Sequence, residues 1–152
     1  MINSAVQFVL AVLVLVLGAA FEELLPKFLG VGIPVLLAAV LFFASRRSGS
    51  ASLAFAVAAG ALEDALSSLP PMTSVSYFLA MAVVVRRFGC LWPCRILAYP
   101  CYQVWLAVWV VGIGGGVFER VLLACPVGVA TVLAGHAVLG GLCRKAAVDE
   151  RG

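Results

Sequence analysis

Long uninterrupted runs of apolar residues constrain this chain more than any other feature of its sequence. After Met1-Ile2-Asn3-Ser4 the chain is almost wholly apolar to Ala20, and further runs cover 31–44, 51–66, 73–85, 95–118 and 121–142. Only 11% of the 152 residues are charged and 64% are hydrophobic, with a mean hydropathy of +1.17. A soluble domain carries about 25% charged residues. A chain this short cannot hide so much apolar surface in a soluble core, because small domains bury a smaller fraction of their area. Lipid is therefore the expected solvent. The runs are continuous, whereas barrel strands alternate apolar and polar residues, so helices are the expected spanning elements. The fold predicted is all-α: one integral-membrane domain of six transmembrane helices over 1–145, with a short cytoplasmic tail at 146–152.

The breaks between runs carry most of the charge. The first helix is expected to end at Glu22-Glu23, with Pro26 and Lys27 beyond it. A cleaved signal peptide would have a basic start. There is none here, so a retained helix is expected, although Gly18-Ala19-Ala20 loosely resembles a cleavage site. The second run is short, and Pro34 suits a first helical turn, where its missing N–H costs nothing. Arg46-Arg47 and Ser48-Gly49-Ser50 make a basic turn, and Arg86-Arg87 stop the fourth run. Residues 88–94 read as an interfacial loop with Trp92 at headgroup depth. Pro100 lies near the start of the fifth run, and Gly112 with Gly114-Gly115-Gly116 loosens its far end. Glu119-Arg120 is expected to form a very short turn. The sixth run stops at Arg144-Lys145, and Val148–Gly152 reads as a solvated or disordered tail.

Six spans put both termini on one side. With that side cytoplasmic, the inside segments hold Arg46, Arg47, Arg86, Arg87, Arg95, Arg144, Lys145 and Arg151; the outside ones hold only Lys27 and Arg120. That distribution follows the positive-inside rule. The net charge of +3 is small, and no basic cluster is interleaved with aromatics, so no nucleic-acid partner is expected. The five cysteines are Cys90, Cys94, Cys101, Cys125 and Cys143. Their odd number argues against a complete disulfide framework, and Cys90-x3-Cys94 is a poor zinc signature without a nearby histidine. Plain apolar thiols, no metal and no cofactor are expected.

The stretch Gly60–Thr73 is the most informative. Ser52, Ala56, Gly60 and Asp64 recur every four residues, so they share one helical face, and small residues at that spacing admit a neighbouring backbone. Glu63 and Asp64 point roughly 100° apart, a weak arrangement for an acid/base pair. An acidic side chain deep in a spanning helix is costly, so Asp64 should face protein or water. It could bond free N–H groups near a helix break, bind a partner's cation, be solvated like Glu63, or serve proton chemistry. Pro70 and Pro71 bound the helix, since proline cannot continue the hydrogen-bond ladder. His136 is the only histidine and is expected to bond across helices, with packing at Gly135 and Gly140. Trp105 and Trp109 lie one turn apart and read as lipid or packing aromatics. No hydrolase or transferase constellation occurs, so no enzyme activity is expected.

The layout resembles the rod-shape-determining protein MreD family. The residues that carry the resemblance are Pro34, Arg46, Arg47, Gly60, Asp64, Pro70 and Pro71: a short second span, a basic turn, a Gly-x-x-x-Asp helix and a proline turn. It covers about residues 1–145 in layout, and its diagnostic part lies in residues 31–75. After the proline the family often has a Leu-Gly step, where this chain reads Pro71-Met72-Thr73. The resemblance implies a six-span bacterial inner-membrane scaffold of the cell-elongation machinery. Its partner would be MreC, and together they would help connect MreB filaments with the peptidoglycan polymerase and transpeptidase of elongation. Ser52, Ala56, Gly60, Asp64, Pro70 and Pro71 would then support the fold or the MreC contact. The family is also similar in fold to the substrate-binding components of energy-coupling-factor vitamin transporters. That implies an alternative, with Glu63, Asp64, Glu119 and aromatic residues lining a vitamin pocket.

Overall fold

A helix buried on every side sets the architecture. In the computed structural model the backbone is described for residues 4–29, 34–46, 50–67, 69–89, 92–111 and 117–149, and side chains for 8–24, 34–46, 50–67, 69–89, 93–109 and 125–142. The described residues form α1 (Ser4–Leu29), α2 (Val35–Arg46), α3 (Ser50–Leu66), α4 (Thr73–Phe88), α5 (Trp92–Leu106), a π-helical continuation (Ala107–Val111) and α6 (Val117–Asp149). No strand occurs among them. Every residue from Leu36 to Ala44 of α2 is buried, and α1, α3, α4 and α6 all pack on it. A helix that is apolar all round belongs in the centre. At about 1.5 Å per residue its 12 residues reach only ~18 Å, well short of a ~30 Å hydrocarbon layer.

Several boundaries differ from the sequence expectation. α1 does not stop at Glu22-Glu23 but continues through Pro26 to Leu29. Glu22 has a buried use for its carboxyl group, described below, so the acidic pair does not need to mark a helix end. Of the expected interfacial loop at 88–94, Phe88 belongs to α4 and Trp92–Cys94 to α5, while Cys90 and Leu91 lie outside the described residues. Pro93 then sits in a first turn, where no N–H is needed, and Gly89, at φ +80, closes α4 with its N–H on the Val85 carbonyl. Glu119 and Arg120 are helical residues of α6, not a turn. The glycines at 112 and 114–116 fall outside the described residues. α6 also extends past Lys145, so Val148 and Asp149 are helical. Pro34 directly precedes α2, and its carbonyl accepts the Ala38 N–H at 3.2 Å.

The small face of α3 lies against α4. Ser52, Ala56, Gly60 and Asp64 are all buried. A Cβ on Gly60 would stand 2.5 Å from Val75 Cα and 2.7 Å from Val75 N, so glycine alone permits this crossing. The same device recurs in α6. Gly128 lies directly under the Tyr99 ring, and a Cβ on Gly135 would come within 2.9 Å of Ala38 Cβ. The window Cys125–Leu142 of α6 is long and apolar enough to cross a membrane, with mean hydropathy 1.6, and only 17% of it is buried. A core helix of a soluble protein would be mostly buried; this one turns most of its apolar surface outward.

Pro70-Pro71-Met72-Thr73 has the features of a type II turn. The Thr73 N–H bonds the Pro70 carbonyl at 3.2 Å, and Met72 sits at φ 72, ψ 3. Proline suits the second turn position, and the third demands positive φ, where glycine is at ease. A left-handed non-glycine residue costs about 1–2 kcal/mol, against ~0.4–1 kcal/mol for the extra freedom of glycine in the unfolded chain. Met72 is 68% exposed, so little packing is at stake. Met72→Gly should therefore raise stability by about 0.5–1 kcal/mol. Gly60→Val should lower it by at least ~1–3 kcal/mol through overpacking. Unfolding midpoints in mixed micelles check both signs.

Candidate functional site

Three of the four buried polar residues, Asp64, Thr73 and Ser74, gather at the end of α3 and the start of α4. α4 begins without help from its own N-cap residue, because Met72 offers no side-chain acceptor. The first N–H groups of a helix have no partner inside it. Asp64 of α3 supplies one: its Oδ1 accepts the Ser74 N–H at 2.7 Å, with both residues buried. An N-cap side chain normally accepts from the second or third helical residue. Ser74 is the second, so Asp64 does the work of a cap from the preceding helix, and its charge favours the positive end of the helix dipole.

Glu22 repeats this arrangement at α2. Its Oε1 accepts the Leu36 N–H at 2.7 Å, and Leu36 is the second residue of α2. The residue before α2 is Pro34, which likewise has no side-chain acceptor. Two helices thus begin inside the bundle, each capped by a carboxylate from the helix before it. Asp64 Oδ2 is buried without a hydrogen-bond partner, whereas the Glu22 carboxyl also meets that of Glu63.

Thr73 and Ser74 then tie α5 to the same point. Ser74 Oγ and the Tyr102 hydroxyl share a 2.7 Å hydrogen bond. Trp105 Nε1 donates to the Thr73 carbonyl at 2.9 Å. The Thr73 hydroxyl donates to the Pro70 carbonyl at 2.8 Å. Lower on α4, the Tyr77 hydroxyl donates to the Ala98 carbonyl. The rings of Tyr77, Phe78, Tyr102 and Trp105 pack with centroids 5.1–6.5 Å apart. Trp105 is thus a packing aromatic with a polar handle, while Trp109 is mostly exposed.

Two cavities flank this node. The first, about 170 Å³, is lined by Glu22, Glu23, Glu63, Ser67, Tyr99, Tyr102 and Gln103, with Pro34, Leu66 and Leu106. The second is an outward groove of about 350 Å³ along α3 and α4, lined by Val57, Ala61, Ala65, Leu69, Met72 and Val75, with Asp64 and Pro71 at its edge. Of the residues expected to line one pocket, Glu63 faces the first cavity and Asp64 borders the second. The side chain of Glu119 lies outside the described residues.

His136 does not bond across helices through Nδ1, which is buried without a partner. Its ring instead meets Phe42 edge-on, with centroids 5.4 Å apart, and the Arg46 guanidinium lies over the Phe42 ring, 5.6 Å from its centroid. Cys94, Cys101 and Cys125 are free thiols; Cys90 and Cys143 lie outside the described side chains. Among the described residues no group of three His, Cys, Asp or Glu side chains is placed to hold a metal ion. Glu22, Ser74, Tyr102 and Gln103 were not singled out by the sequence. Only the 3.6-residue phasing of Tyr99, Tyr102 and Gln103 on α5 hints that they share a face.

No family model matches the chain, and no curated protein or solved structure matches it either.

Asp64→Leu removes a charged acceptor from a buried N–H and should cost about 2–3 kcal/mol; Asp64→Asn keeps the acceptor and should cost under ~1 kcal/mol. Chemical denaturation of the two variants in matched micelles checks the order. Equal losses would mean that the carboxamide cannot take over the Ser74 N–H.

Proposed function

We propose that the chain is a multi-pass protein of the bacterial inner membrane, its six apolar runs taking it across with both termini in the cytoplasm, although α2 itself covers only part of the thickness. It acts there by binding, without catalysis, as a scaffold of the cell-elongation machinery that partners MreC. The observation that carries the membrane half is the outside of the bundle. Phe8, Val9 and Val16 of α1, Val83 of α4, Leu97 and Val104 of α5, and Val138 of α6 are each half or more exposed. Soluble monomers rarely show such continuous apolar surface. The 26 residues of α1 carry no charge before Glu22 and extend about 39 Å, enough for a crossing. The eight-to-two division of basic residues supports the orientation.

The scaffold half rests on where the resembling segment spends its residues. Ser52, Ala56, Gly60 and Asp64 are buried inside the fold, Gly60 and Asp64 against α4, which leaves the flank of α3 beside that crossing for a partner. That flank is the groove of Val57, Ala61, Ala65, Met72 and Val75. An apolar helix laid there would cover exposed side chains and close over the unpaired Asp64 Oδ2. The alternative is a vitamin-binding transporter component. The carboxylate-lined cavity gives it a place, but ~170 Å³ is below the roughly 300–1,000 Å³ of small-molecule sites.

An affinity pull-down from native membranes in mild detergent tests the function, with mass spectrometry of proteins and small molecules. The expected result is MreC or elongation synthases from wild type, and loss of both from Ala61→Trp, which fills the groove beside the α3–α4 crossing. An ATPase module or a copurifying vitamin would reverse the choice. Orientation is read separately: Lys27→Cys should react with an impermeant maleimide in spheroplasts, and Ser48→Cys only after permeabilisation.

A further inference from the structure

We infer that the outward groove along α3 and α4 docks a partner's transmembrane helix through one side-chain N–H donor, carried at the depth of Asp64. This rests on the partner-binding half of the proposed function and deepens it, by stating what the partner helix must carry. Val57, Ala61 and Ala65 recur every four residues and make the α3 wall of the groove, and Met72 and Val75 close its other side. Val57, Ala61, Ala65 and Met72 are exposed. Alanines at that spacing let another helix come close.

A stripe of small residues alone would not make a site. The second observation is Asp64, which lines the same groove and is only 7% exposed. Its Oδ1 is committed to the Ser74 N–H, and its Oδ2 is buried with no hydrogen-bond partner. Folded proteins leave few such acceptors unmet. Inside a bilayer no water arrives to meet this one. A helix without a donor would seal the orphan oxygen in, at a cost. A helix with an N–H at that level would give it a charge-assisted hydrogen bond, the stronger kind.

The groove also says which helix this is not. Apart from Asp64, its lining side chains are those of valine, alanine, leucine, proline and methionine, none of which has an N–H or O–H to give. Two copies of this chain packed groove to groove about a two-fold axis would bring two Asp64 carboxylates together with no donor between them. Like charges at close range repel. The partner is therefore a different chain. Depth narrows it further. Asp64 lies about 21 Å from the start of α3, so the donor belongs roughly two-thirds of the way across a ~30 Å layer from the cytoplasmic side.

The test uses the full chain, dye-labelled at its amino terminus, in phosphatidylcholine vesicles. Energy transfer is read to a labelled leucine–alanine peptide of about 20 residues, long enough to span. The peptide carries lysine or norleucine at the matching depth; the two differ by the ammonium group alone. Wild type should bind the lysine peptide about three- to tenfold more tightly. Asp64→Asn keeps an acceptor for Ser74 but puts an N–H donor where the orphan oxygen was. The lysine preference should vanish there, while the norleucine peptide binds as before and so reports an intact fold. Ala61→Trp should weaken both peptides. Equal or absent binding of the two peptides in wild type, or a preference that survives in Asp64→Asn, overturns the inference. So does energy transfer between differently labelled copies of the chain that Ala61→Trp abolishes, which would give the groove to a second copy. The pull-down scores the MreC reading separately: MreC recovered from wild type, with equal binding of the two peptides, would keep the partner and remove the donor.

Discussion

A helix that begins inside an apolar bundle leaves backbone N–H groups with neither water nor an earlier carbonyl to meet them. The described residues contain two such beginnings, α2 and α4, each preceded by a residue that cannot cap it, Pro34 and Met72. Both are met the same way. A carboxylate near the end of the previous helix reaches across and takes the N–H of the second helical residue, at 2.7 Å in each case. Glu22 thereby ties α1 to α2, and Asp64 ties α3 to α4. In a medium with no competing solvent each bond is worth more than its surface counterpart, and its loss leaves a donor stranded.

The rest of the bundle depends on these two closures. α2 can be short and central because its start need not reach water. α3 and α4 can touch backbone to backbone at Gly60 and Val75 because their ends are pinned at Asp64 and Ser74. Ser74 and Thr73 in turn hold Tyr102 and Trp105, which fixes the angle of α5. The cavity of carboxylates and tyrosines is a consequence of that geometry, since it lies where the ends of α1 and α3 meet the face of α5. The exposed apolar flanks are the surface that this packing leaves uncovered.

Much of this could be read from residues in order. The apolar runs located every helix, and the four-residue spacing of Ser52, Ala56, Gly60 and Asp64 marked a packing face. What pairs that face with α4 in particular was not legible, because spacing says nothing about which neighbour arrives. Helix ends were harder. Glu22-Glu23 and Glu119-Arg120 looked like boundaries, as charges in apolar sequence usually do. The helix continues through both, and Glu22 spends a carboxyl oxygen on a backbone N–H 14 residues away. Met72 in a left-handed turn was also hidden, since an exposed methionine gives no sign of positive φ. The cavity needed three helices at once, so its tyrosines and Gln103 carried no local signal.

Amide hydrogen exchange in nanodiscs would test the capping account most directly, comparing wild type with Asp64→Leu at the Ser74 and Leu36 amides. Both should be strongly protected in wild type. In Asp64→Leu, exchange should accelerate at Ser74 and the first turn of α4 and stay slow at Leu36, whose carboxylate is untouched. Unchanged protection at Ser74 would contradict the account, because the start of α4 would then be held by something other than Asp64.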